Sequence, residues 1–124
     1  MEVTDWLLDG DPAIRWQVLR DLGLDPASPA ARETISLVAA NCRWEHDGQA
    51  FFDGEVEACN NGRTLSIGAY FDADVDGLVT GLLDDQLEDG GWNCWTEQGA
   101  TVSSFDSTIW VLEGPHLRRR PDRA

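Results

Sequence analysis

Lysine is absent from this chain, and its nine basic residues, all arginines, face 23 acidic ones. The formal net charge is therefore −14. A surface of this charge repels phosphate groups, which excludes nucleic acid as a default partner and disfavours anionic membrane surfaces. The scarcity of bases also argues against a diphosphate site, and the sequence contains no glycine-rich phosphate-binding loop.

Long hydrophobic runs and cysteine pairs are missing as well. The sequence predicts no transmembrane helix, because it has no apolar run of about 18 residues, and its acidic first ten residues do not resemble a signal peptide. The three cysteines (Cys42, Cys59 and Cys94) cannot all pair, and no Cys-x-x-Cys motif suggests a metal site. We therefore expect reduced, buried and unreactive cysteines in a cytoplasmic protein.

Apolar and aromatic residues are well represented. Hydrophobic residues make up 42% of the chain and six residues are tryptophan, which excludes a disordered acidic protein. The acids are concentrated in residues 1–117, whereas residues 118–124 hold four arginines against one aspartate. We predict a single domain over residues 1–114 and a basic, disordered tail over residues 115–124.

The spacing of apolar residues predicts helices throughout, and no segment alternates long enough to predict a strand. Asp11, Ser28, Asp74 and Ser103 are expected to cap the starts of helices. The sequence Gly114-Pro115 is expected to end the last helix.

A turn signal and a weak internal repeat complete the local pattern. Residues 60–62 read Asn-Asn-Gly, which predicts an interruption before a helix over residues 63–71. Trp44 and Trp92 each follow a predicted helix end and precede a polar loop and another helix. Their spacing is typical of helical repeat proteins.

The segment Gln86-Leu87-Glu88-Asp89-Gly90-Gly91-Trp92, with the helix that follows it, resembles the Gln-Trp repeat of the squalene cyclase, terpenoid cyclase and protein prenyltransferase superfamily. Residues 44–68 resemble a degenerate copy, and residues 11–22 resemble the opening helix of bacterial squalene-cyclase-like proteins. The resemblance implies an all-α fold of helical hairpin repeats. Because the chain is too short for a full ring of such repeats, we expect a partial α/α toroid.

The residues of this motif have structural roles that follow from their chemistry. Gln86 can donate to carbonyl groups left open at a helix end. Gly90 and Gly91 allow a left-handed backbone, and Trp92 can cover the turn with a large apolar ring. Trp44 is expected to do the same in the degenerate copy.

The resemblance also implies an apolar cavity lined by aromatic side chains. Our candidates for its lining are Trp95, Trp110, Phe105 and Tyr70, and the alternative is that these residues belong to the core. We expect a non-catalytic protein that binds an apolar, isoprenoid-like or polycyclic small molecule between helices.

An enzymatic function remains as an alternative. Asp74 and Asp76 resemble the acidic motif with which squalene-type cyclases protonate their substrates, although their spacing differs and a helix N-terminus would also favour them. A cyclase or prenyltransferase of this length would complete its cavity by oligomerising. The spacing of Asp84, Asp85 and Glu88 fits the aspartate-rich magnesium motif of isoprenoid diphosphate enzymes, but a solvated helix end is the better explanation of these acids, and we expect no cofactor.

A third alternative is a protein-interaction module. A shortened toroid leaves an apolar helical edge open, which favours a homo-oligomer. The arginine-rich end could instead contact an acidic surface.

Overall fold

The computed structural model describes residues 3–21 and 25–118, and these residues form six α-helices and no strand. The all-α prediction is therefore confirmed. The helices are α1 (Val3–Leu8), α2 (Pro12–Asp21), α3 (Pro29–Asn41), α4 (Ala58–Tyr70), α5 (Asp76–Asp84) and α6 (Phe105–Arg118). Within the described residues, no helix is both long and apolar enough to cross a membrane.

The chain forms two compact units, Met1–Cys42 and Arg43–Ala124, and the single domain over residues 1–114 stays a prediction. The first unit contains α1, α2 and α3, and both predicted caps in it are confirmed. The Asp11 carboxylate accepts a hydrogen bond from the Ala13 N–H at 2.8 Å, and the Ser28 hydroxyl accepts one from the Ala31 N–H at 3.2 Å. Both bonds satisfy donors that a helix start leaves open.

The second unit is organised around the parallel pair of α4 and α6. A Cβ atom on Gly62 would lie 2.5 Å from the Trp110 carbonyl oxygen, and one on Gly114 would lie 2.8 Å from a methyl group of Leu65. Gly62 faces Trp110 and, further along α4, Leu65 faces Gly114 further along α6. Residue numbers therefore increase in the same direction in the two helices, which means that α4 and α6 run parallel. Glycine at these points allows the two backbones to approach closely. The core of this unit includes Leu65, Leu78, Leu82 and Val111.

The predicted interruption at residues 60–62 is wrong, because α4 begins at Ala58 and runs through this segment. Asn61 is buried, and its side chain bonds to both the N–H (2.7 Å) and the carbonyl (2.6 Å) of Glu55. Gly62 lies against α6. The hydrogen bonds of Asn61 to the preceding loop and the packing of Gly62 on α6 together outweigh the local turn preference of the Asn-Asn-Gly sequence.

Both predicted boundaries of α6 are also wrong. Its cap is Ser104, whose hydroxyl accepts a hydrogen bond from the Ser107 N–H at 3.2 Å, and not Ser103. The helix continues through Gly114 and Pro115 to Arg118, and Gly114 packs against α4. The predicted tail therefore begins in helix, and residues 119–124 lie outside the described residues.

The turn between α5 and the segment before α6 is held by the predicted motif. The Gln86 side chain donates to the Gly90 carbonyl at 2.7 Å, so it closes the turn and does not bond to the end of the helix. Trp92 does that instead, because its indole N–H donates to the Leu82 carbonyl in α5 at 2.7 Å. Gly90 has a φ of +90°, as predicted. The prediction of a left-handed backbone is wrong for Gly91, which has no positive φ. Glycine is needed there because a side chain would collide with Ser103 and Thr108 around the start of α6.

Trp44 has a different environment from Trp92. Its indole N–H donates to the Phe51 carbonyl at 2.9 Å, and its ring stacks on the Phe51 ring with centroids 5.2 Å apart. Trp44 therefore closes its own loop, which is also joined by an isolated bridge between Arg43 and Ala50.

Candidate functional site

A pocket of about 470 Å³ lies between α4, α6 and the segment over residues 93–100. Its volume falls in the range of small-molecule sites. Two aromatic, two charged and two sulfur-containing side chains contribute to the lining: Trp95, Trp110, Arg63, Asp106, Cys59 and Cys94.

The segment that forms one wall of this pocket is fixed to α6 by side-chain hydroxyls. The Cys94 N–H donates to the Ser107 hydroxyl at 3.0 Å, and the Trp92 N–H donates to the Thr108 hydroxyl at 3.1 Å. Ser107 is buried and also accepts a hydrogen bond from the Ser104 hydroxyl at 2.8 Å. This wall of the pocket is therefore preformed.

The positive charge in the pocket, on Arg63, lies against the aromatic ring of Trp110. The guanidinium carbon of Arg63 lies 3.7 Å from the centroid of the Trp110 ring, which is a close cation–π contact. A guanidinium that stacks by its face keeps its N–H edge available to a hydrogen-bond acceptor. Trp95 is 69% exposed and offers a second indole surface on the same pocket.

The structure brings together two of the four predicted lining residues. Trp95 and Trp110 share the pocket. Phe105, at the start of α6, is 89% exposed and does not line it. Tyr70 lies at the other end of α4 from Cys59, with its ring against the Phe71 ring at 4.9 Å.

Sequence reasoning missed Arg63 and the two cysteines as pocket residues. Arg63 precedes Thr64 and Leu65 in α4, and nothing local indicates that it stacks on a tryptophan 47 positions later. The contact depends on the parallel pairing of α4 with α6. Only a prediction of that helix pair could have placed Arg63 beside Trp110.

The expectation of unpaired, unreactive cysteines is wrong for two of the three. Cys59 and Cys94 form a disulfide, with Cα atoms 6.1 Å apart and a sequence separation of 35. Both residues are partly exposed to the pocket. Their pairing follows from the attachment of residues 92–94 to α6, which no spacing rule reveals. The cytoplasmic location stays a prediction.

Asp74 and Asp76 lie at the start of α5 and do not line the pocket. Both are exposed, and the Asp74 carboxylate accepts a hydrogen bond from the Asp76 N–H at 3.1 Å. The prediction of Asp74 as the cap is wrong by one residue, because Val75 occupies the N-cap position of α5. The Asp74 carboxylate still satisfies a donor at the helix start.

The acidic group at the end of α5 is exposed. Although Asp85 is exposed, nearby protein atoms displace part of the water around its carboxyl group and raise its pKa above the usual value, and the charges of Asp84 and Glu97 raise it further. A carboxylate that is held near other acids without a cation is destabilised in its charged form. In the part of the chain that the structure describes, no cluster of three or more His, Cys, Asp or Glu side chains could hold a metal ion.

A neighbouring aspartate shows the opposite shift. The Asp89 carboxylate accepts hydrogen bonds from the Ser103 N–H at 2.8 Å and from the Gly91 N–H at 3.2 Å. Interaction with Ser103, first through its side chain and then through its backbone, lowers the pKa of Asp89, and the Gly91 N–H lowers it further. Asp89 therefore ties the turn to the segment before α6 in its ionised form.

A second, smaller cavity of about 160 Å³ lies between α4, α5 and α6. Its lining is apolar and includes Leu65, Leu82, Leu83, Trp92 and Leu112. Two of these side chains, Leu83 and Leu112, remain more than half exposed. The cavity is below the usual size of a small-molecule site.

No protein-family model, no curated protein and no solved structure matches this chain. The pocket of about 470 Å³ combines two indole surfaces, one guanidinium and one carboxylate.

Proposed function

We propose that this protein binds an apolar, isoprenoid-like or polycyclic small molecule in the pocket lined by Trp95 and Trp110. The observation that carries the proposal is the convergence of two indoles and the stacked guanidinium of Arg63 on one preformed cavity. Apolar pockets with a few fixed polar groups are typical of ligand sites.

The polar side chains of the pocket restrict the functional groups that a ligand can carry. The N–H edge of Arg63 favours an oxygen acceptor on the ligand, and the flat indole surfaces favour rings or unsaturated chains. Asp106, which also lines the pocket, disfavours a highly charged anion such as a diphosphate. We therefore infer a ligand with an apolar body and one hydroxyl or carboxylate group.

Binding is expected to depend on Trp95 and to be measurable by calorimetric titration with farnesol and with a triterpenoid carboxylic acid. Replacing Trp95 with alanine should weaken binding about tenfold, because an aromatic contact contributes roughly 1.5 kcal/mol. Trp6→Ala is the matched control, since Trp6 is 65% exposed and lies in the first unit. Absence of heat from every member of the panel, or equal weakening by both substitutions, would contradict the proposal.

The arrangement of α4 and α6 supports a partial α/α toroid. These are the helices that follow Trp44 and Trp92, and they pack as parallel neighbours. Successive repeats of one helical hairpin place equivalent helices side by side in this way. The cyclase alternative has no comparable support, because its candidate acids, Asp74 and Asp76, do not line the pocket.

A second candidate function is self-association, which we propose on the basis of an exposed apolar stripe on α6. Phe105, Ile109 and Leu112 recur at helical spacing on one face and are 89%, 50% and 52% exposed. A continuous apolar stripe on a surface helix is typical of a helix–helix interface.

If this stripe mediates self-association, light scattering after size exclusion should give at least twice the 13.7 kDa chain mass. Ile109→Ser combined with Phe105→Ser should return the mass to that of one chain, because both substitutions remove apolar area from the interface. Val3→Ser is a control, since Val3 is an exposed apolar residue of the first unit. A monomer at every concentration would reject this second candidate.

A further inference from the structure

The Cys59–Cys94 disulfide lies on the wall of the pocket and is accessible from it. Both cysteines contribute to the pocket lining, and both are partly exposed. Structural disulfides are commonly shielded, whereas accessible ones are open to attack by thiolates. The position of this bond therefore allows chemistry in addition to binding.

The two sulfur atoms have different surroundings. The Cys94 sulfur accepts a hydrogen bond from the Cys59 N–H at 3.1 Å and another from the Ser107 hydroxyl at 3.1 Å. The Cys59 N–H belongs to the first turn of α4, where amide donors have no partner within the helix. Across residues 3–21 and 25–118, no comparable donor reaches the Cys59 sulfur.

The difference between the two sulfur atoms determines which of them departs more readily when a thiolate attacks the disulfide. In thiol–disulfide exchange the reaction is faster when the departing sulfur is better stabilised as a thiolate. Hydrogen bonds to a charged sulfur provide such stabilisation. Cys94 is therefore the better leaving group, and Cys59 is the sulfur that an incoming thiolate attacks.

We infer that the pocket is a thiol–disulfide exchange site for low-molecular-weight thiols, with Cys59 as the residue that becomes modified. The incoming thiolate forms a bond to the Cys59 sulfur, the Cys59–Cys94 bond breaks, and its electron pair leaves on the Cys94 sulfur as a thiolate. A second thiolate then attacks the mixed disulfide at its small-molecule sulfur, which releases the oxidised small disulfide and leaves Cys59 as a thiolate. Two electrons pass from the two small thiols to the protein, and no other reactant is needed.

Arg63 assists this reaction by its position in the same pocket. The chain as a whole is strongly acidic, and a general acidic field repels an approaching thiolate. A guanidinium at the pocket lowers this repulsion locally. The inference uses the same pocket as the proposed ligand but does not require that ligand to bind.

The site of attack can be read by mass spectrometry of the full chain. Purified protein, prepared without reductant, is exposed briefly to 2-mercaptoethanol, quenched with acid and alkylated. Trypsin cleaves after Arg43 and Arg63, which places the three cysteines on three different peptides. We expect the mercaptoethanol adduct on Cys59 and the alkyl group on Cys94. An adduct confined to Cys94, or alkylation of both cysteines before any thiol is added, overturns the inference.

The role of Ser107 as a positioning residue gives a second test. Ser107→Ala should slow the exchange about threefold to tenfold, because it removes one donor to the departing sulfur. Ser107→Thr, which keeps the hydroxyl, should restore most of the rate. Ser66→Ala is the control, since the Ser66 hydroxyl bonds to the Gly62 carbonyl and touches neither sulfur.

The thermal unfolding midpoint of each variant is measured beside the rate. A change in midpoint with an unchanged rate in Ser107→Ala shows a purely structural role and rejects the inference. Titration of the oxidised protein with the apolar ligands reports on the proposed function separately, so that either proposal can fail alone.

Discussion

Replacing Trp92 with alanine is expected to lower the free energy of unfolding by about 3–5 kcal/mol, the usual range for removing a buried aromatic side chain. The Trp92 side chain is 6% exposed, and its indole N–H bonds to the Leu82 carbonyl near the end of α5. Its backbone N–H is also bonded to Thr108 in α6. The substitution therefore opens a cavity and leaves a carbonyl of α5 without its partner.

The matched control is Trp95→Ala, three positions later in the chain. Trp95 is 69% exposed, so we expect the free energy of unfolding to change by about 0.5 kcal/mol or less. Urea unfolding followed by circular dichroism measures both variants. Trp92→Phe should fall between them, because it keeps an aromatic ring in the site but loses the second ring of the indole and the hydrogen bond, which contributes about 1 kcal/mol. Equal losses in the two alanine variants would show that Trp92 has no special structural role.

The second large effect concerns two glycines that lie inside helices and respond oppositely to alanine. Gly62→Ala in α4 is expected to cost about 1–3 kcal/mol, as in overpacked cores. Its Cβ would lie 2.5 Å from the Trp110 carbonyl oxygen, which is backbone of α6. Because backbone cannot rotate away as a side chain can, the two helices must separate.

Gly81→Ala in α5 is the control, and we expect it to stabilise the protein by about 0.5–1 kcal/mol. A Cβ atom at Gly81 would meet nothing within 4 Å, so only the gain in helix propensity remains. The same unfolding assay compares both variants with the parent chain. A gain in stability for Gly62→Ala would be inconsistent with the close α4–α6 pair and with the pocket built on it.

Trp92 and Gly62 both hold in place the elements that form the candidate site. Trp92 holds the segment that precedes the pocket wall against α5 and α6, and Gly62 allows α6 to approach α4. Arg63 and Trp110 meet because of that approach. Damage at Trp92 or Gly62 should therefore weaken ligand binding and change the exchange rate even though neither residue lines the pocket.

Several features of the protein follow from local sequence. The apolar spacing predicts helices, and Asp11 and Ser28 cap them as expected. Gly90 adopts the positive φ that its place in the turn requires. These features depend on neighbours within about four residues, so the chemistry of the residues themselves is sufficient to predict them.

Two helix boundaries, in contrast, were decided by the tertiary structure. The Asn-Asn-Gly segment became helical because Asn61 bonds to Glu55 and Gly62 packs on α6. Gly114 did not end α6 for a similar reason, since it packs against Leu65 of α4. In both places the free energy gained from contacts between distant residues is larger than the cost of glycine in a helix, which is about 1 kcal/mol.

In the candidate site, too, some features follow from the sequence and others only from the tertiary structure. The sequence by itself determined an all-α chain, the turn around Trp92 and the aromatic character of Trp95 and Trp110. The meeting of Arg63 with Trp110 and of Cys59 with Cys94 was decided only by the tertiary structure. The physical reason is that these pairs, 47 and 35 positions apart, come together through the packing of α4 on α6, which no local pattern of residues encodes.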